Sequence, residues 1–109
     1  MRCYGAFTNA RLDGLLCLNI ADEKLKIEYI ATAPWNYYTI GKMRRVGSGL
    51  IYFTIRISNY KEHGGEFFLD ALADAERFYE SIGMSPTGNV NNPGLREYFM
   101  SKEGAMSFS

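Results

Sequence analysis

Three runs in the first third of the chain carry apolar residues at strand spacing. Arg2 to Phe7 reads as a short strand and Leu15 to Ile20 as a second apolar run. Leu25 to Thr32 is a third, in which Leu25, Ile27, Tyr29 and Ala31 alternate with Lys26, Glu28, Ile30 and Thr32. Thr8-Asn9-Ala10 and Asp13-Gly14 are turn signals, and Ala21-Asp22-Glu23-Lys24 is a polar turn. Together they predict an antiparallel meander with short connections. Pro34-Trp35-Asn36 ends the third strand, because proline cannot continue a central ladder. Tyr37 to Met43 then reads as an aromatic loop.

The period changes at Gly47. From there to about Glu62, the residues Leu50, Ile51, Phe53, Thr54, Ile57 and Ser58 recur at helical spacing, and His63-Gly64-Gly65 supplies a stop. Glu66 to Leu72 is a buried-strand candidate. Ala73 to Ile82 predicts a second helix with Ala75, Phe78, Tyr79 and Ile82 on one face, closed by Gly83. Asn91-Asn92-Pro93-Gly94 is a turn between Met84–Val90 and Leu95–Met100, a C-terminal hairpin, and Ser101 to Ser109 starts one more helical turn. The order is β-β-β-α-β-α-β-β. A helix between Leu25–Thr32 and Glu66–Leu72 implies a parallel crossover in an otherwise antiparallel sheet. The fold class expected is α/β in the α+β sense: a mixed, mostly antiparallel sheet with two main helices.

Composition narrows the function. The 109 residues fit a single domain, 1–109, and 47% hydrophobic content lets it bury a core. Net charge is +0, which argues against broad nucleic-acid binding, although Lys42, Arg44 and Arg45 form a local basic patch. Cys3 and Cys17 are too few for a disulfide framework, so a reduced, cytoplasmic setting is expected, with Cys17 a buried small hydrophobe. His63 is the one histidine, and no metal-ligand spacing exists. His63 is expected to cap the helix end. No apolar run approaches the ~18 residues of a membrane span.

The stretch Arg44-Arg45-Val46-Gly47-Ser48-Gly49 carries the strongest chemical signal. Glycines at a helix start let the backbone approach a ligand, and the unpaired first-turn amides and the helix dipole favour an anion. A tight turn packed on a strand is the plain alternative. Tyr52 stands where a dinucleotide-binding turn needs its third glycine, and no Lys-Ser or Lys-Thr follows Gly49 as a Walker loop requires.

Arg44-x-x-Gly47-x-Gly49 resembles the Arg/Gln-x-x-Gly-x-Gly/Ala motif of the GCN5-related N-acetyltransferases (GNAT). Ala75-Glu76-Arg77-Phe78-Tyr79-Glu80-Ser81-Ile82-Gly83-Met84 is similar to that family's Ala-x-x-Phe-Tyr-x-x-x-Gly-Phe segment, with Met84 in place of Phe. Order and separation also match, and the resemblance covers roughly Leu15 to Met100. It implies acetyl-CoA as cosubstrate and no metal. The amides from Arg44 or Arg45 through Val46, Gly47, Ser48 and Gly49 to Leu50 would bind its pyrophosphate. The pantetheine arm would pair with the strand edge at Ile30, Ala31 and Thr32, where a bulge splays two strands apart. A backbone N–H there would polarise the acetyl carbonyl. Tyr79 would protonate the departing thiolate, a phenol near pKa ~10 serving a thiolate near ~8.5. Glu28 is the candidate base for the amine. Tyr79 reads equally as a core aromatic, and Glu28 as a solvated strand position. Trp35, Tyr37 and Tyr38 could line an acceptor site or a dimer contact.

Three departures from the family pattern stand out. The usual N-terminal strand-helix-helix unit is expected to be absent, the loop from Pro34 to Arg44 is long, and Leu72 stands where many members place an Asn. The leading expectation is an N-acetyltransferase moving acetyl to a small-molecule or protein amine by direct attack, with no nucleic-acid or membrane partner. The alternative is a weak or inactive module that keeps the fold and binds CoA or a protein partner. A homodimer is expected under either.

Overall fold

The computed structural model describes residues 1–21, 23–32, 40–91 and 93–108, with backbone alone for 40–45. Its elements are β1 (Arg2–Thr8), β2 (Arg11–Ile20), β3 (Leu25–Thr32), α1 (Ile40–Tyr60), β4 (Phe67–Ala71), a 3-10 turn (Ala73–Ala75), α2 (Glu76–Ser81), β5 (Ser85–Asn91), β6 (Leu95–Met100) and α3 (Lys102–Ser107). The strands form one sheet in the order β1-β2-β3-β4-β6-β5. All pairings are antiparallel except β3 with β4. The expected order and mixed fold class are therefore observed, including the parallel crossover through α1.

Strand alternation builds the core. Leu16, Leu18, Leu25, Ile27, Phe67, Leu69, Tyr98 and Met100 are buried on one face of the sheet, against Leu50, Ile51 and Ile55 of α1 and Tyr79 of α2. Each such side chain contributes about 1.5–3 kcal/mol when fully buried. Both crossovers, β3–α1–β4 and β4–α2–β5, advance the same way across the sheet, and right-handed connections then put both helices on the same face. Thr54 and Ser58 are buried in α1 without cost in lost hydrogen bonds, since their hydroxyls donate to the carbonyls of Leu50 (2.9 Å) and Glu66 (2.7 Å). The end of α2 is closed by Gly83, whose N–H donates to Glu80 while that of Met84 donates to Tyr79.

Several expectations are corrected. Asp13-Gly14 is no turn; β2 begins at Arg11 and runs through it. The two-residue turn is Asn9-Ala10, both at positive φ (51° and 65°), the twist a tight hairpin prefers. Asp13 is the extra residue of a β2 bulge between Ala6↔Gly14 and Phe7↔Leu12. Gly14 marks a close approach, for a Cβ there would meet Val46 at 2.7 Å. The His63 ring lies within hydrogen-bond distance of Ala21 O (3.2 Å) rather than capping α1, whose end takes the His63 backbone N–H onto Ser58 O. The cysteines are not free thiols: Cys3 and Cys17 are register partners joined by a disulfide. Spacing alone hid this, because the register that sets them opposite is a tertiary property. Pro34, Trp35, Asn36, Tyr37, Tyr38 and Asn92 lie outside the described residues.

Candidate active site

β3 and β4 begin side by side and then part. Their parallel pairing comprises Lys26↔Phe68 and Ile27↔Leu69. β3 continues from Glu28 to Thr32, still paired with β2, while β4 ends at Ala71. A bulge marks the point of separation: Cys17 pairs with Tyr29 and Leu18 with Ile27, so Glu28 is the unmatched residue. Such an insertion bends its strand and raises the local twist. The β4-facing edge of Glu28–Thr32, which contains Ile30, Ala31 and Thr32, is thereby left without a strand partner among the described residues. An extended ligand with its own amide groups fits such an edge. Glu28 itself is exposed.

Two links hold the strands together just before they part. One is the backbone pairing at Ile27; the other is Lys26 Nζ donating to Asp70 Oδ2 at 2.9 Å, both side chains mostly buried. Asp70 sits directly opposite Glu97 on β6. Such a like-charge pair is costly unless donors separate it. Asn91 provides them, with Nδ2 at 2.7 Å from Asp70 Oδ1 and 3.4 Å from Glu97 Oε2. Thr87 (2.9 Å) and Asn89 (3.1 Å) donate to Glu97 Oε1. They reach it because three β5 residues, Thr87 to Asn89, oppose the single Glu97 between Pro86↔Tyr98 and Val90↔Arg96. Burial pushes the Asp70 carboxyl up, but the hydrogen bonds from Lys26 and Asn91 outweigh it and hold the group below its ordinary range. Glu97 is likewise pushed up by burial and brought below its ordinary range by Asn89, Thr87 and Asn91. The hydrogen bond to Asp70 raises Lys26, against its desolvation.

Tyr79 lies on α2. It is buried, its ring lies 6.3 Å from that of Tyr98, and Tyr98 pairs with Leu69, the last β4 residue joined to β3. No described residue accepts or donates a hydrogen bond at its hydroxyl. Burial raises the phenol above its ordinary pKa, so it keeps its proton. The Tyr98 hydroxyl meets Glu76 Oε1 and Glu80 Oε2, each at 2.8 Å, and Arg96 pairs with Glu76 at 2.8 Å. These contacts fasten α2 to β6 and thereby fix Tyr79. Burial, then the two carboxylates, raise the Tyr98 phenol far above its ordinary range.

The glycine segment differs from expectation. α1 begins at Ile40, not at Gly47. The amides of Val46 to Leu50 then donate along the helix and lie beyond its first turn. The stretch before Gly47 holds no proline to stop it, and one glycine does not terminate a helix. Gly47 is instead a packing device: a Cβ there would lie 3.3 Å from the Phe78 ring. α2 thus leans on α1 at Gly47, which brings the two sequence motifs together. Gly49 faces open space. Arg44 and Arg45 lie in the same helix, and no acidic residue occupies its first turn. No hydrogen bond joins Glu28 to Tyr79.

Solved structures share this arrangement. Over 89% of its length the chain is similar to Escherichia coli ElaA, with a TM-score of 0.71 and 17% identity. It is also similar to the ribosomal-protein-S18-alanine N-acetyltransferase of Escherichia coli (TM-score 0.56, 17% identity, 90% of this chain) and to Tetrahymena GCN5 (0.59, 14%, 92%). This chain has the GNAT fold.

It covers 65%, 64% and 68% of those three chains respectively, so about a third of each has no counterpart in the aligned region. No protein-family model and no curated protein matches it. The sequence names Tyr79, Glu28 and the β3 edge as candidates; the structure puts Glu28 at the bulge where that edge loses its strand partner among the described residues. Sequence reasoning missed the Lys26–Asp70–Asn91–Glu97 network and the Tyr98 clamp. The only signal for either was polar residues alternating with apolar ones on strands. Among the described residues no His, Cys, Asp or Glu group is arranged to hold a metal, and no helix is long and apolar enough to cross a membrane.

Proposed function

We propose that this chain is an acetyl-CoA-dependent N-acetyltransferase acting on a primary amine of a small molecule or protein. The observation that carries the reading is the divergence of β3 and β4 at the Glu28 bulge. The free edge at Ile30, Ala31 and Thr32 suits the amide-bearing pantetheine arm. Bound acetyl-CoA supplies an activated acetyl thioester. Glu28, exposed beside the edge, takes the proton that the acceptor ammonium must lose. A β3 amide donates to the acetyl carbonyl where charge develops. Tyr79, kept protonated by burial, donates to the departing thiolate.

The diphosphate is proposed to rest on the amides from Arg44 and Arg45 through Val46, Gly47, Ser48 and Gly49 to Leu50. These amides do not fit it while α1 runs unbroken from Ile40. Binding therefore requires α1 to open from Ile40 through Gly49, so that the helix starts at Leu50. Two glycines make this inexpensive, each weakening a helix by about 1 kcal/mol relative to alanine. The continuous helix favours the second reading, a GNAT-fold module that does not turn over.

Steady-state assays of Tyr79→Phe and Glu28→Gln against a broad amine panel test the enzyme. Tyr79→Phe is expected to lower kcat about 100-fold at unchanged melting temperature, since no described residue bonds its hydroxyl. Stoichiometric acetyl-CoA binding by the wild type with no turnover of any amine would establish the module instead.

A further inference from the structure

The Cys3–Cys17 bond takes no part in that chemistry. It joins the edge strand β1 to β2, closing a loop of sequence separation 14. β1 buries little: five of its seven residues are exposed, and Tyr4 and Ala6 are partly buried. Tyr4 meets the Phe53 ring of α1 edge-on at 4.9 Å. The strand is thus held by its ladder to β2, this small contact and the bridge. β1 also walls one side of a cleft whose other wall is α1 at Val46, Gly49, Leu50 and Phe53. The two cysteines differ in access, Cys3 being exposed and Cys17 only 6% exposed.

We propose that the Cys3–Cys17 disulfide is a thiol-exchange site, opened by a dithiol reductant, that sets how firmly β1 is held on the sheet and so shapes the cleft along α1. A reductant thiolate attacks Cys3 Sγ, the accessible end. The bond from Cys3 to the reductant forms, the Cys3–Cys17 bond breaks, and Cys17 leaves as a thiolate that takes a proton. The second thiolate of the reductant attacks its own sulfur in this mixed disulfide and closes a cyclic disulfide. Cys3 then leaves as a thiolate and is protonated. Two electrons pass from the dithiol to the protein. With the loop open, the locally detached state of β1 regains its chain entropy, and the outer wall of the cleft loosens while the buried strands stay in place.

Amide exchange of the full chain, oxidised and then treated with dithiothreitol under native conditions, tests this, with alkylation mass to count thiols. The expected result is no alkylation before treatment and two adducts after it. Exchange of the Arg2–Thr8 amides should rise by on the order of a hundredfold, the loop-closure effect of a bridge spanning about fifteen residues, while β4 and β6 are unchanged. Oxidised dithiothreitol should reverse both. Cys3→Ser/Cys17→Ser should show the raised exchange without reductant; if it does not fold, the wild-type pair carries the test. The proposal is overturned if both thiols alkylate in untreated, air-exposed protein. It is equally overturned if reduction requires global unfolding, if reduction unfolds the whole sheet, or if β1 exchange does not change.

Discussion

Replacing Gly49 by alanine pulls stability and cofactor binding in opposite directions. Gly49 lies inside α1, and a Cβ built there meets no atom within 4 Å. The substitution therefore adds helix propensity without a clash, worth about 0.8–1 kcal/mol. For a domain of this size that raises Tm by roughly 4–8 °C. The same gain opposes the opening of α1 that the proposed diphosphate seat requires. Its full value falls on the binding equilibrium, so acetyl-CoA affinity should drop about fivefold. Gly47→Ala is the internal comparison: its Cβ would press on Phe78 at 3.3 Å, so its propensity gain is offset by strain between α1 and α2. Thermal unfolding by circular dichroism and calorimetric titration with acetyl-CoA read both quantities on the same samples. A lower Tm for Gly49→Ala would refute the continuous helix. A higher Tm with unchanged affinity would refute the requirement that it open.

Tyr98→Phe removes the hydroxyl between Glu76 and Glu80 and is expected to cost about 1–3 kcal/mol in denaturant unfolding, with Tyr79 fluorescence or activity reporting a loosened α2. Asp70 and Glu97 have lowered folded-state pKa values, so the stability they contribute is present above their unfolded values near ~4 and is lost as pH falls through the lower folded values; urea midpoints should fall with acidification in that window, and Asp70→Asn should flatten the slope. Lys26 carries the opposite sign: its folded pKa is raised, so its contribution is complete below ~10.4 and is lost as pH rises further. Lys26→Met should therefore remove the alkaline part of the same curve.

Strand existence was readable because alternation is local. Leu25 to Thr32 matches β3 to the residue, and Leu95 to Met100 matches β6. The resemblance implied a bulge on β3 near Ile30 to Thr32, but its position was not readable, since Glu28 becomes the extra residue only through the register of β2 against β3. The same holds for Cys3 opposite Cys17 and Asp70 opposite Glu97, pairings that no spacing along the chain encodes. Gly47 misled in an instructive way. Its lack of a side chain signals close approach, and the approaching group here is Phe78 of the second motif. Steric signals of this kind do not say whether protein or ligand fills the space. Tyr79 is buried like a core aromatic, one of its two expected readings, and no described residue bonds its hydroxyl.

Amide chemical shifts followed through an acetyl-CoA titration test the central claim, that an acyl thioester lies along the β3 edge where β4 turns away. The account expects saturable shifts concentrated at Glu28–Thr32 and along Ile40–Leu50, with loss of helical shifts before Leu50. Shifts confined to other strands, or none at millimolar acetyl-CoA, would contradict it.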